Sequence, residues 1–256
     1  MLKEVHRICE KHGINYFTIG GTALGAVRHK GFIPWDDDID IAFLRKDYER
    51  FKAVLETELD TEKFYFQDQG KTKGYRWGYG KIRRKGTEFV RFGQEHMPYE
   101  QGIFIDIMPL DFVPNNYLLC CLHCFVAFLF RKLFWSEVGQ YKANGMEKFI
   151  YRILSKVPEK LLKNNYERFV KLSNKRPSKL VRIFTLPCCT ARHEWGYKLY
   201  FFESATNIIF EDFECKTVAN LDEFLKFEFN DYMELPSEDK RKTHPVSKLK
   251  LQEVIQ

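Results

Sequence analysis

Four acidic residues fall within five positions of this chain: Asp36, Asp37, Asp38 and Asp40, in the string Trp35-Asp36-Asp37-Asp38-Ile39-Asp40-Ile41. Carboxylates this close repel one another strongly once water is partly excluded. A solvated acidic loop would avoid the problem. Trp35 on one side and Ile39, Ile41 and Phe43 on the other instead carry the run into a sheet. There a divalent cation is the natural neutraliser, and Mg²⁺ favours a few carboxylates plus substrate phosphates. From Asp38 to Phe43 the chain alternates acid and apolar residue at first. In a strand, that period of two puts Asp38 and Asp40 on one face and Ile39 and Ile41 on the other.

A third acid on a neighbouring strand would complete such a site. Asp106, alone in the apolar stretch Gly102–Leu110 (GIFIDIMPL), is the candidate; a charge there needs a partner. The alternative is a buried aspartate paired with an arginine. Asp111, just past Pro109, reads as a turn residue.

Gly20 and Gly21 lie upstream, followed by Thr22 and a run of small residues. Without Cβ atoms, the glycines let backbone N–H groups approach phosphate oxygens, and a helix starting there adds its dipole. Arg28 and His29 follow this segment and are candidates for donor-phosphate contact, or plain surface cations. Lys81 and Arg83 alternate on a predicted strand and share a face, which suits either phosphate binding or a solvated edge. Arg241 and His244 near the end are further candidates, while His123 and His193 read as structural.

The elements that must position these groups are legible in outline. Residues 1–12 form a short helix, and Asn15–Ile19 a strand ending at the glycine pair. Leu44, Tyr48, Phe51, Leu55 and Leu59 recur at helical spacing, an apolar stripe that covers the sheet. Further strands are expected at 64–66, 79–83, 87–92, 102–110 and 208–213, and a helix capped by Asn220 with Glu223 at the reciprocal position. From about Tyr117 to Leu180 the sequence turns helical. Mixed strands and helices without regular βαβ alternation argue for an α+β fold: a mixed β-sheet flanked by helices, with a helical insertion. The expected organisation is a catalytic core over 1–114, a helical lobe over 115–200 and a C-terminal part, 201–256, that completes the core.

The composition, 45% hydrophobic and 30% charged over 256 residues, is that of a globular chain. A net charge of +6 suits phosphate-rich molecules, anionic glycopolymers or membrane headgroups, and no basic arm or Cys/His finger spacing points to nucleic acid. Seven cysteines, an odd number with adjacent pairs, argue against a disulfide framework. Cys121 and Cys124 have zinc-like spacing that Cys188 and Cys189 would complete, though cysteines in an apolar helix usually act as small hydrophobes. The N-terminus is not a signal peptide. The apolar run Tyr117–Phe130 is short for a membrane span, and is either a buried helix or one lying against a membrane. The chain reads as cytoplasmic, with the inner face of the membrane as an alternative.

Gly-Gly, then Asp-h-Asp-h (h apolar), then a distant acid on an apolar strand resembles the nucleotidyltransferase superfamily. The string GGTALGAVRHKGFIPWDDDIDIAF is similar to the LicD family of phosphocholine transferases, whose relatives include the fukutin-type ribitol-phosphate transferases. GIFIDIMPLD (102–111) and the tail NDYMELPSEDKRKTHP (230–245) resemble the family more weakly. The resemblance implies transfer from CDP-choline, or a similar CDP-alcohol, to a hydroxyl of a cell-surface glycan or teichoic acid precursor. It implies that Asp38 and Asp40 hold Mg²⁺ (or Mn²⁺), with Asp106 and Asp36 completing the set; of these carboxylates, Asp106 is the candidate to take the acceptor proton. Trp35, Tyr75, Trp77 and Tyr79 are candidates to face a choline ammonium. The rival readings are a nucleotidyltransferase that modifies a small molecule, and a non-catalytic glycan-binding scaffold.

Overall fold

The alternation after Ile39 becomes a central strand in the computed structural model, which describes residues 1–187, 195–241 and 243–251. In chain order the elements are α1 (Leu2–His12), β1 (Phe17–Thr18), α2 (Gly20–Arg28), β2 (Asp40–Leu44), α3 (Arg45–Glu58), β3 (Phe64–Gln67), β4 (Gly80–Arg84), β5 (Glu88–Arg91) and β6 (Phe104–Val113). Three helices follow, α4 (Tyr117–Lys142), α5 (Gly145–Leu154) and α6 (Glu159–Ser173), then β7 (Leu180–Arg182), β8 (Tyr197–Lys198), β9 (Ala205–Phe210), β10 (Phe213–Val218), α7 (Leu221–Phe229) and β11 (Val246–Lys250).

The main sheet runs β3-β4-β6-β2-β1-β10-β9, with β7 paired to the far end of β6 and β8 to β7. β2 lies parallel to β6, and β1 parallel to β10; the remaining pairs are antiparallel. This open mixed sheet with flanking helices is the predicted α+β architecture.

Strand periodicity sorts the side chains onto two faces. Ile41, Phe43, Ile105 and Ile107 join the apolar cluster under α1 and α3, with Val5, Ile8, Tyr48 and Phe51. Ala42, Met108 and Leu110 join the opposite cluster with Ala23 and Leu24 of α2 and Phe224 and Leu225 of α7. By the same parity Asp40 and Asp106 look toward α2. A third cluster, with Phe134, Leu162, Tyr166 and Phe184, packs α4 and α6 together.

Three expectations change. Asp111 is not in a turn: it is fully buried in β6, gripped by Arg45 through Nε and Nη2 at 2.7 and 2.6 Å and by Asn174 at 2.7 Å. Ile208–Phe213 is a hairpin rather than one strand, with Glu211 at φ 57° in the turn. Asn220 precedes α7 without a side-chain cap, because Glu223 turns instead to the Tyr200 hydroxyl.

Candidate active site

The parallel register of β2 and β6 sets Asp40 directly opposite Asp106. Asp38, two residues ahead, brings its carboxylate into the same space: one oxygen from each of Asp38, Asp40 and Asp106 lies within 4.8 Å of the others. Asp106 is buried, and the other two are partly so.

Two cations already reach into this cluster. Lys81, opposite Asp106 on β4, donates to its Oδ1 within the protein interior. Arg91 donates to Asp38 Oδ2 at 2.8 Å. Burial pushes the Lys81 ammonium down to about 8, against the pull of Asp106. Among the described residues no donor or cation holds the Asp40 carboxylate. Burial, then the charges of Asp106 and Asp38, push its pKa well above the carboxylate range, with Lys81 opposing. Asp36 is pushed up to about 6 by burial and by Asp38. Four acids thus face two cations. An oxygen-rich pocket with this excess of negative charge fits a hard divalent cation held by Asp38, Asp40 and Asp106.

Asp36 stands just outside that group, where its carboxylate lies against Gly21; a Cβ on Gly21 would overlap it. Gly20 adopts φ 55° and leaves room for Asp40, whose Oδ2 lies 3.3 Å from where a Cβ would sit. The glycine pair therefore admits carboxylates as well as exposing the first-turn amides of α2. One of those amides is engaged: Gly20 N–H faces Glu228, whose pKa burial pushes up to about 7 while Tyr197 and Gly20 draw it down. Tyr197 Oη donates to Glu228 at 2.8 Å. Thr22 Oγ1 accepts the Asp40 N–H at 2.9 Å, so it fixes the start of β2.

The C-terminal tail returns to the acids. With β11 paired to β5, His244 Nδ1 lies 2.7 Å from Asp37 Oδ1 and 4.0 Å from Asp38 Oδ2, and Arg91 Nη2 lies 3.3 Å from the same nitrogen. Asp37, Asp38 and His244 form a second group whose ligand atoms lie within 4.8 Å of one another. Sequence alternation leaves Asp37 on the wrong face, but β2 begins only at Asp40, so strand parity does not govern residues 36–38. Arg241 sits over Trp35, its guanidinium carbon 4.8 Å from the ring centre.

Other predicted residues take different places. Arg28 and His29 lie at the C-terminal end of α2, roughly 12 Å along the helix axis from its glycines. Arg28 donates to the carbonyls of Tyr232 and Glu234, and His29 packs edge-on to Trp35. Arg83 shares the face of Lys81 and lines the same cavity beside the acids, with its guanidinium bound to Gln67 Oε1 and the Gly102 carbonyl at 2.8 and 2.7 Å. His123 is buried and bonds Ser173. Cys124 Sγ accepts from Arg182 at 2.7 Å, while Cys188, Cys189 and His193 lie outside the described residues.

Beside the acids opens a cavity of about 490 Å³. Lys81 and Arg91 form its acidic-site wall; Trp77, Tyr79, Trp135 and Tyr151 form an aromatic one. Tyr75 is fully buried against Tyr99 and does not line it, nor does Trp35. Arg91 and Trp135 were not singled out from the sequence: both come to the site from segments without any acidic or glycine signature.

Residues 13–117 match the family model "LicD/FKTN/FKRP, nucleotidyltransferase domain". The lipopolysaccharide cholinephosphotransferase LicD of Haemophilus influenzae is 30% identical over 257 residues, covering 96% of this chain and 92% of that protein. Uncharacterized proteins of Rickettsia typhi and Rickettsia prowazekii are 38% and 29% identical over 122 and 117 residues, 46% of this chain in each case, and 35% and 40% of those proteins. The match to a transferase runs along nearly the full length of both chains, so this protein belongs to the LicD family.

Proposed function

We propose that this protein transfers phosphocholine from CDP-choline to a hydroxyl of a lipopolysaccharide-type glycan, with Mg²⁺ or Mn²⁺ held by Asp38, Asp40 and Asp106. The observation that carries this reading is the convergence of those three carboxylates, from β2, its approach segment and β6, in a chain whose near-full-length relative is a cholinephosphotransferase.

The bound cation would neutralise phosphate oxygens during displacement. The protein's own residues do the rest. The free first-turn amides of α2 and the Lys81 and Arg91 side chains give the pyrophosphate a positive surround. Trp77, Tyr79, Trp135 and Tyr151 offer ring faces to the quaternary ammonium, with Glu147 on the same cavity wall. Lys81 holds Asp106 in place through Oδ1, and the Asp106 carboxylate is the group that takes the acceptor proton. The acceptor oxygen bonds to the choline-side phosphorus as the bond to the cytidine-side bridging oxygen breaks, and cytidine monophosphate departs.

The test is incubation with CDP-choline, lipopolysaccharide and Mg²⁺, following CMP and choline-labelled glycan. CMP release with glycan labelling is the expected result. Pyrophosphate release from a nucleoside triphosphate, with no turnover of CDP-choline, would instead assign nucleotide transfer to a small molecule. Glycan binding without turnover of either donor would leave a scaffold.

A further inference from the structure

We infer that α4 and α5 form a docking surface for an anionic lipid bilayer. A surface helix normally turns its apolar stripe to the core. Here the stripes face outward. On α4, Leu118, Leu122, Phe125 and Leu129, spaced four, three and four apart, are 74, 59, 57 and 43% exposed. On α5, Met146, Phe149, Ile150 and Ile153 are all exposed, and only Tyr151 is buried, against Gly139 of α4. α4 is long and apolar enough to cross a membrane, and 22% of its most apolar stretch is buried.

Two features argue for lying on the bilayer rather than crossing it. One side of α4 is committed to protein: Cys120, His123, Ala127 and Phe134 are buried. Its C-terminal half carries Arg131, Lys132 and Glu137. An amphipathic helix in this setting beds its apolar face into the headgroup boundary.

Charge selects the occupant. Over residues 117–156, the two helices and the turn that follows α5, there are 6 Lys and Arg against 2 Asp and Glu, a net +4. Both acids are neutralised locally: Glu137 by Arg76 and Glu147 by Lys132. Lys148 and Arg152 on α5, and Lys156 just past it, have no carboxylate partner among the described residues. A second copy of this chain would bring the same positive face and be repelled. Anionic headgroups complement it, and the acyl region receives the exposed leucines and phenylalanines. The same two helices supply Arg131, Trp135, Glu147 and Tyr151 to the cavity wall, so a bilayer on their outer face lies close to where an acceptor would enter.

The test is flotation of the full chain with vesicles of phosphatidylcholine, with and without phosphatidylglycerol. Wild type should float with the phosphatidylglycerol vesicles, lose most of that binding in high salt, and ignore pure phosphatidylcholine. The triple variant L122E/F125E/F149E, altered only at exposed positions, should bind about tenfold or more weakly while keeping wild-type circular dichroism and thermal midpoint. The inference is overturned if wild type stays with the soluble fraction, if it floats equally well without anionic lipid, or if the variant floats undiminished. It is also overturned if light scattering finds wild-type dimers that the variant abolishes without any change in flotation. None of these readings requires turnover, so they stand apart from the proposed reaction.

Discussion

Asp40 and Asp106 are direct register partners in the parallel pair β2–β6, and Lys81 completes the row on β4 as the antiparallel partner of Asp106. Acid, acid and lysine thus stand side by side on one sheet face, with a cation on one acid and, among the described residues, none on the other. The imbalance at Asp40 is what a divalent ion would relieve.

Replacing Asp40 or Asp38 with Asn is therefore expected to reduce CMP release by about a thousandfold or more. The fold should survive, since Asp40→Asn removes a like-charge repulsion. Circular dichroism and thermal melting check the fold alongside activity. A variant with near-normal turnover would remove that residue from the site.

Lys81→Met should cost about 3 kcal/mol of stability, because it leaves Asp106 buried without its cation. Mg²⁺ should return part of the loss by taking over the neutralisation. Urea unfolding with and without Mg²⁺ measures both. Equal stability of the variant in the two conditions would argue against ion binding at Asp106.

Trp135→Ala and Trp77→Ala should raise KM for CDP-choline by about tenfold while changing kcat less, since cation–π contacts of this kind contribute about 1 kcal/mol or more. Steady-state kinetics separates the two parameters. A fall in kcat alone would place these rings elsewhere in the reaction.

His123 lies between Phe169 and Phe184, and burial, then Arg182, push its pKa down to about 4. The folded state thus binds its proton less readily than the unfolded chain, which takes it up near pH 6.5. The stability linked to this group is present above pH 6.5 and is lost as the pH falls toward 4. The loss is on the order of 3 kcal/mol. Denaturant titrations across that window should slope accordingly, and His123→Gln should flatten the slope. An unchanged slope in the variant would place the pH dependence on other groups.

Gly21→Ala should impair activity more than stability, because the added methyl displaces Asp36 at the edge of the site. Gly25→Ala should do the reverse: its Cβ would meet the Gly31 carbonyl, which is backbone and yields less easily. Comparing turnover and thermal midpoint in the two variants checks the contrast.

The acids, the glycine pair and the lone aspartate of β6 were legible in the sequence because each carries a local signal: crowded charge, a missing Cβ, a charge in an apolar strand. The helical stripe over α3 was equally plain, and those same strings carried the family resemblance. Tertiary structure alone decided the rest. Arg91 reaches Asp38 across 53 residues of sequence, and His244 reaches Asp37 across 207. It also decided that Asp111, not Asp106, is the buried aspartate paired with an arginine, and that the apolar stripe of α4 faces outward. A spacing rule reports what lies within a turn of helix or a few strand residues. Which cation meets which acid depends on strand register and on where the tail returns, and these are set by the packing of the whole chain.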